Sequence, residues 1–557
     1  MINNRNRNNP TPPATQKPMI SPLQALNHTM LEFDEPPQRA LKAAADADDN
    51  CKRLYQQLTE KTKYLADEVL SVKFPWRVRV GGIRGFRELL LPAFHSVYGV
   101  PYISASSLKG VVLAWARQHQ DLDQVNRLLG TLNNGIGCVQ FLDAFADAPS
   151  LSVDMANPQW HWENDQIKYD PQPHALLSME QPQLIIGLAR TSRGNKNDVI
   201  TIKGWLEQAL ATSGLGSRVS SGYGRTVLTA SRKDAVKKSY EFQLWTAGMY
   251  GATPPSQENQ YQGFPEFRPT AVRGMLRYWF RAIALGIYPP QQCKMLEAKL
   301  FGTIEPQSKM GSIRIDVKWE EEQAGDRNHP HFYSGTIVLE SQDSKHLTLI
   351  RKVLELASHL GGIGRGSRRP LHWNNPHPGL RGCHWELKSD KLRLSSRLII
   401  WQTRFLPTVR DAFLAVQSPS DLPGNGTPGT PGNRNQDVLN KNAQIYLVPC
   451  QTLWHPEGIN NWPRNGTTPE VRGTALTLLY DNRFKGVNQQ GQGNANVGGR
   501  ISNNPDGSTP SYVVIKSNFP EGKSPYQAVT VFGANQSDRA KFVQALPQGS
   551  IKVWPLP

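Results

Sequence analysis

Hydrophobic and polar positions alternate along the chain with two different periods. Between about Leu31 and Val72 the pattern is helical, and residues 41–70 carry apolar side chains at helical spacing without proline or glycine. The stretch VKFPWRVRVGG at 72–82 alternates as a strand does and ends in two glycines. A further strand is predicted to begin at Tyr240, in YEFQLWTAG. This succession of helical and strand periods predicts an α+β protein.

Three stretches lack either period and divide the chain. Residues 1–30 are rich in Asn, Pro, Thr and Gln, which predicts a disordered tail. A polar, basic stretch at 231–240 is predicted to be a linker between two large units. The Pro- and Gly-rich stretch 417–436 is predicted to be a flexible insertion. The expected domains are therefore 31–230 and 241–557, the second of them with two folding units.

An internal repeat is the most informative feature of the sequence. Three anchors occur twice in the same order: SSLKGVVLAWAR (106–117) over TAVRGMLRYWFR (270–281), LGT (129–131) over FGT (301–303), and GLGSRVSSGYGR (214–225) over GGIGRGSRRP (361–370). A basic residue precedes the glycine in each copy of the first anchor. The repeat predicts a tandem duplication, and a faint third echo occurs at Val471-Arg472-Gly473.

Composition narrows the class of partner. The 557 residues include 63 Lys+Arg and 46 Asp+Glu, a formal net charge of +17. This charge favours a polyanion, because each neutralised phosphate releases counterions. No run of about 18 apolar residues occurs, which argues against a membrane span. The five cysteines are far apart, and the first residues lack the apolar core of a secretory signal. These features predict a cytoplasmic protein without disulfides or a zinc cage.

The first and third anchors suit phosphate chemistry. Ser106 and Thr270 are acceptable helix caps, and the N–H groups of a helix start attract anions. Arg273, Arg277 and Arg281 recur every four residues and therefore share one helix face. The glycine-rich segments can present successive N–H groups to an anion, although neither is a P-loop or a dinucleotide fingerprint. The alternatives are a solvated basic stripe and ordinary tight turns.

Catalytic chemistry is weakly represented. The thirteen histidines are scattered, and no convincing His-x-x-x-His helix or G-x-S-x-G segment occurs. Asp143, Asp147 and Asp154 form one acidic cluster, which is more often structural than metal-binding. The sequence therefore predicts no catalytic residue, no metal ligand and no cofactor.

The ordered anchors resemble the RAMP superfamily of CRISPR-associated proteins. The first half is similar to subunit six of the Cmr (type III-B) effector, although Gln159 stands where that family usually has His. The second half is similar to subunit one of the same complex. The resemblance implies tandem ferredoxin-like (RRM-like) domains with insertions, which hold a guide RNA by its backbone. It also implies target RNA and the backbone, small and large effector subunits as partners, with no membrane.

The residues carrying these motifs form the predicted RNA-binding set: Ser106, Ser107, Lys109, Arg117, Arg218, Gly222, Arg225, Arg268, Arg273, Arg277, Arg281, Gly364, Arg365, Arg368 and Arg369. Related backbone subunits cut target RNA with an Asp before the first anchor helix. Here that stretch holds only Glu88 in the first half, and Glu258 and Glu266 in the second. We therefore expect a non-catalytic subunit that caps one end of the complex. The rivals are a RAMP-type endoribonuclease using His95 or Asp154, and a generic RNA-binding protein unrelated to defence.

Overall fold

The computed structural model describes residues 20–31, 37–81, 91–132, 135–228, 230, 232, 234–255, 263–303, 307, 309–326, 328–373, 379–388, 394, 396–419, 435–463, 468–485, 494–500 and 509–556. The helices are α1 (Pro22–Leu31), α2 (Pro37–Asp48), α3 (Lys52–Leu65), α4 (Ala105–His119), α5 (Leu122–Leu129), α6 (Lys196–Ser213), α7 (Pro269–Ile287), α8 (Pro290–Phe301), α9 (Ser344–Leu360), α10 (Leu398–Ile400), α11 (Leu406–Val416), α12 (Pro469–Arg472), α13 (Thr474–Leu479), α14 (Asn482–Lys485) and α15 (Ser537–Gln544). The strands are β1 (Glu68–Lys73), β2 (Arg77–Val78), β3 (Gly130–Thr131), β4 (Gly135–Ile136), β5 (Val139–Phe141), β6 (Phe145–Ala146), β7 (Leu151–Ala156), β8 (Trp160–Glu163), β9 (Gln166–Tyr169), β10 (His174–Glu180), β11 (Gln183–Arg190), β12 (Val236–Thr246), β13 (Gly302–Thr303), β14 (Lys309–Met310), β15 (Ile313–Gln323), β16 (His331–Ser341), β17 (His372–Trp373), β18 (Leu380–Arg381), β19 (Cys383–Leu387), β20 (Gln444–Pro449), β21 (Val513–Asn518), β22 (Tyr526–Val531) and β23 (Ile551–Trp554).

The first compact unit comprises the chain up to Asp154 together with Ala175–Ser217 and Gly224–Leu228. Its main sheet has the antiparallel order β1-β11-β5, with β6 also paired to β11, and a smaller sheet has the order β2-β10-β7. Helices α4 and α6 pack against each other, and α6 contacts β11. Their inward side chains form one apolar core that includes Leu108 and Leu206.

The second unit comprises Met155–His174, Arg218–Tyr223 and Thr229–Pro557. It contains two four-stranded antiparallel sheets. In the first, the chain runs β12-α7-β15-β16-α9-β19 and the strands lie in the order β15-β16-β12-β19. In the second, β20 is followed by α12 to α14, then by β21, β22, α15 and β23, and the order is β21-β22-β20-β23. The two sheets therefore share one strand order, with the second and fourth strands at the edges.

Local capping explains where several helices begin. Asn195 and Asp198 form a capping box at the start of α6, each side chain accepting from the other's backbone N–H. Asp343 caps α9 through the N–H groups of Lys345 and His346. Pro269 occupies the first position of α7, where its missing N–H costs nothing. The predicted cap, Thr270, is wrong, because Thr270 lies inside the helix and the N-cap position is Arg268.

The sequence repeat is matched by a structural one. In each half, the anchor helix is followed by a second helix that ends at a glycine, Gly130 with φ 75° or Gly302 with φ 85°. That glycine opens a two-residue ladder, β3 with β4 or β13 with β14. The positive φ explains why glycine recurs in both copies of the second anchor. The third echo, 471–473, follows β20 at the position of the anchor helix.

Three features differ from the sequence pattern. Strand β12 begins at Val236, inside the predicted linker, because it pairs with β16 along its whole length. Helix α1 lies within the predicted tail, where Leu26 is buried in an apolar cluster. Residues 155–174 carry the β8–β9 hairpin and belong to the second unit, whose core includes Ile167. Most of the predicted insertion at 417–436 lies outside the described residues.

None of the helices that the structure describes is long and apolar enough to cross a bilayer.

Candidate RNA interface

The N-terminus of α4 differs from its prediction. The cap is Ser104, whose Oγ accepts from the N–H of Ser107 at 3.3 Å, while Ser106 is exposed in the first turn. The carboxylate of Asp143 accepts from the N–H of Ala105 at 2.7 Å. A carboxylate thus occupies the anion site that the sequence assigned to phosphate. It repels a second anion at this helix end.

The basic residues of α4 remain available. Lys109 is half-buried and Arg117 is exposed, and within the described part of the chain neither is in an ion pair. Between them Gly110 is exposed, and a Cβ placed on it would meet nothing within 4 Å. This helix face therefore offers two cations and an uncovered backbone.

The arginine row of α7 is largely turned inward, which corrects two predicted RNA contacts. Arg277 and Arg281 both pair with the buried Glu297 of α8, at 2.7 Å. Trp162 of the β8–β9 hairpin donates to the same carboxylate at 2.8 Å. Burial raises the pKa of Glu297, but the two arginines outweigh it and hold that pKa at about 2. This cluster holds α7, α8 and the hairpin together.

Arg273, the basic residue that precedes the repeated glycine, contacts Phe301 instead of forming an ion pair with Glu297. Its guanidinium donates to the carbonyl of Phe301 and lies 5.7 Å from the ring centroid of the same residue. The next residue, Gly274, is exposed and has open space at its Cβ position, as Gly110 has. In the third copy the corresponding Gly473 differs, because its φ is 72° and a Cβ would strike Gln527.

Among the described residues, nothing lies close enough to Gly110 or Gly274 to require glycine. A glycine within a helix destabilises it by roughly 0.5–1 kcal/mol relative to alanine. Both glycines lie inside helices, at the same position of the repeat, and neither is needed for packing or for a positive φ. The described fold therefore gives no reason for a glycine at this position in both copies.

The second glycine segment forms a turn with unpaired backbone amides in the described part of the chain. Gly364 has φ 73° and Gly366 φ 76°, and the exposed Arg365 between them lies 5.5 Å from the ring centroid of Tyr250. The N–H groups of residues 364 to 366 find no acceptor among the described residues. Three successive free amides beside an arginine form the kind of concave site that binds phosphate.

The first glycine segment is divided between two roles. Gly216 and Gly224 serve the fold, because a Cβ on either would strike the carbonyl of Arg79 or of Leu215. Arg218, with φ 59°, begins a turn (218–220) whose amides have no acceptor in the described part of the chain. Gly222 continues this turn with φ 98°. Arg225 is half-buried beside the carbonyl of Thr212.

Three further predicted RNA contacts are structural instead. Arg268 is buried, pairs with Glu266 and donates to the carbonyl of Met155. Arg368 pairs with the fully buried Asp437 at 2.6 Å. Arg369 is buried and donates to the carbonyl of Val513. The sequence pattern could not separate these side chains from exposed ones, because their partners come from distant segments.

The two residues of the endoribonuclease alternative, Asp154 and His95, each lie beside a group of opposite character, Arg77 or Asp143. Asp154 is fully buried within 3.9 Å of Arg77. His95 accepts at Nδ1 from the N–H of Val97 at 3.2 Å, so its Nε2 carries the proton and faces Asp143 at 4.0 Å. Glu88 and Glu258 lie outside the described residues.

Sequence reasoning missed a group formed by His384, Glu386 and His455, whose ligand atoms lie within 4.8 Å of one another. Each imidazole Nε2 is 3.7 Å from the Glu386 carboxylate. The Nδ1 of His455 accepts from the N–H of Glu457, and Lys516 Nζ lies 3.0 Å from the Nδ1 of His384. These donors place the protons on both Nε2 atoms, which suits a carboxylate better than a metal ion. Burial raises the pKa of Glu386, and the imidazoles lower it further than burial raises it.

Comparison with known proteins gives one family. A sequence model of the RAMP superfamily matches residues 70–227 and 249–369, half of the chain. No curated protein matches it.

Three solved structures are similar at low identity. A chain in the cryo-EM structure of the type III-B Cmr-beta complex bound to cognate target RNA is 18% identical, with a TM-score of 0.28, over 36% of this chain and 75% of that one. The apo crystal structure of Cmr1 from Pyrococcus furiosus is 15% identical, with a TM-score of 0.32, over 57% and 99%. That of Cmr6 from Pyrococcus furiosus is 21% identical, with a TM-score of 0.20, over 29% and 98%.

Proposed function

Because the chain belongs to the RAMP superfamily, we propose that it is a non-catalytic RNA-binding subunit of a type III CRISPR effector complex. It holds guide RNA and target RNA by phosphate and sugar, which suits a protein that must accept many guide sequences. It caps one end of the complex and contacts the backbone, small and large subunits. The β-α-β-β-α-β order of the second unit supports ferredoxin-like domains as the scaffold.

The single observation that carries this proposal is the pair of exposed glycines, Gly110 and Gly274. Each follows a basic residue, Lys109 or Arg273, on the anchor helix of its half. A helix backbone without side-chain cover lets a nucleic-acid strand approach the amide planes and the neighbouring cation together. The free amides around Arg365 add a second phosphate contact of the same kind.

The test replaces these glycines by alanine. Gly110→Ala and Gly274→Ala should raise the free energy of unfolding by ~0.5–1 kcal/mol, because both lie inside helices with open space. Each should weaken RNA binding about tenfold, equivalent to ~1.4 kcal/mol. Binding is measured with guide-length RNAs of unrelated sequence, and stability by urea unfolding.

Gly204→Ala is the matched control. Gly204 also lies inside a helix, α6, with nothing within 4 Å of its Cβ position, but it has no counterpart in the second half. It should gain the same stability and keep full RNA affinity. Equal RNA affinity in all three variants would contradict the proposal.

A further inference from the structure

Four basic residues surround Tyr480 in the second unit. The guanidinium carbon of Arg472 lies 5.0 Å, and Nζ of Lys485 4.6 Å, from the centroid of the Tyr480 ring. Arg369 donates to the carbonyl of Gly498, and the Lys485 side chain packs beside the α-carbon of the same glycine. Arg381 adds a fourth, exposed cation that interacts electrostatically with Lys485. The positive charges therefore converge on a small region.

No carboxylate compensates these cations in the part of the chain that the structure describes. Asp481, which adjoins Tyr480 in sequence, is paired with Arg483 at 2.9 Å. Arg369 and Arg472 are 9% and 7% exposed, and the buried Nε of each has no hydrogen-bond partner among the described residues. Buried cations without a counter-charge are costly, and a bound anion removes that cost.

The neighbouring histidine fixes the tyrosine and supplies no charge. Nδ1 of His372 donates to the carbonyl of Pro370, so its Nε2 accepts from the Tyr480 hydroxyl at 2.8 Å. Burial and the nearby cations lower the pKa of His372 to about 3, which keeps the ring neutral. Burial, together with Arg369, Arg381 and Arg472, also lowers the pKa of Lys485 to about 7.

We propose that Arg369, Arg472 and Lys485, with Arg381 at the rim, form a pocket for one compact phosphate monoester or free phosphate. Arg381 is exposed and Lys485 is half-buried, so an anion reaches the cluster from their side, and the near-complete burial of the two arginines excludes a continuous strand. A phosphate accepts several hydrogen bonds at once and supplies the negative charge that these cations lack among the described residues. This pocket does not depend on the RNA contacts of Gly110 and Gly274.

Thermal unfolding of the full chain tests the pocket with inorganic phosphate as the probe, against sodium chloride at equal ionic strength. Phosphate should raise the Tm of the native chain beyond the effect of chloride. Lys485→Gln should abolish most of this increment. Lys523→Gln, which removes one exposed charge from the same unit, should keep it. Equal shifts in phosphate and chloride, or an undiminished shift in Lys485→Gln, would overturn the proposal.

Oligonucleotides then distinguish the source of the phosphate. An RNA with a terminal phosphate should bind the native chain several-fold more tightly than the same RNA ending in hydroxyl groups, and Lys485→Gln should remove the difference if the source is an RNA end. If both RNAs bind alike while the phosphate-dependent Tm shift persists, the source is a free phosphate or mononucleotide. Neither result alters the RNA affinities of the glycine variants, so the two proposals can fail separately.

Discussion

At the residue scale, Glu297 decides what two predicted RNA contacts do. Helical spacing correctly places Arg277 and Arg281 on one face of α7. It cannot show that α8 brings a carboxylate against that face, because Glu297 follows a turn and belongs to another helix. Whether an arginine row binds RNA or a buried acid depends on the tertiary partner. The same holds within one short segment, where Arg365 is exposed and Arg369 is buried although the sequence pattern treats them alike.

Replacing this acid should destabilise the fold. Glu297→Gln leaves two arginines without their buried counter-charge, and we expect a loss of about 3–5 kcal/mol in the free energy of unfolding at pH 7. The pKa of Glu297 is lowered from 4.5 to about 2 in the folded chain. Its stabilisation is therefore full above pH 4.5 and is lost as the pH falls toward 2. The difference in the free energy of unfolding between the native chain and the variant should narrow by about 2 kcal/mol from pH 7 to pH 3.

Urea unfolding at both pH values measures this difference in the free energy of unfolding. Glu60→Gln is the control, because Glu60 pairs with Lys63 in an exposed ion pair 2.9 Å long. That variant should lose less than about 1 kcal/mol, since exposed ion pairs contribute little. A pH-independent difference between the native chain and Glu297→Gln would show that folding does not lower the pKa of Glu297.

At the element scale, the repeated ladder is the clearest trace of duplication. The sequence identified Gly130 and Gly302 by their shared Gly-Thr pair, and both are helix ends with positive φ. It missed Gly137 and Gly311, which lie one residue beyond β4 and β14. A Cβ on Gly137 would lie 2.5 Å from the carbonyl oxygen of Leu128, and one on Gly311 2.4 Å from that of Leu300. In the sequence, nothing around Gly137 or Gly311 indicates that the backbone is crowded at these positions.

These two glycines should therefore respond alike to substitution. Gly137→Ala and Gly311→Ala force backbone to shift, and we expect each to lower the free energy of unfolding by ~1–3 kcal/mol. Gly204→Ala, with open space at the same atom, should not destabilise the chain. Urea unfolding checks the three variants side by side. A loss in one half only would mean that the two ladders are not equivalent.

At the scale of the whole molecule, the net charge predicts the class of partner but does not identify the residues that bind it. A net charge of +17 favours a polyanion. The α+β alternation and the two RAMP segments were also within reach of the sequence, because periodicity and repeated motifs are local. The third anchor echo was too degenerate to interpret. The four-stranded sheet that contains this third copy is identified by the pairing of β20 with β22 and β23, which the sequence does not show.

The last prediction concerns catalysis. Hydrolysis of RNA needs a base or metal-holding acid within reach of the 2′-hydroxyl. Asp154 is buried beside Arg77, and the Nδ1 of His95 already accepts from two backbone amides. We therefore expect the purified chain to bind unrelated RNAs with similar affinity, weakening with salt, and to cleave none of them with magnesium or with chelator.

The assembled effector extends this test to the acids before the anchor helices. Complexes that carry His95→Ala, Glu88→Ala or Glu258→Ala should give the same target-cleavage products as the native complex, because the proposed function assigns cutting to other subunits. Electrophoresis of end-labelled target RNA resolves each product. The disappearance of one product in any of these variants would place a catalytic group in this chain, and would favour the endoribonuclease over the RNA-holding subunit.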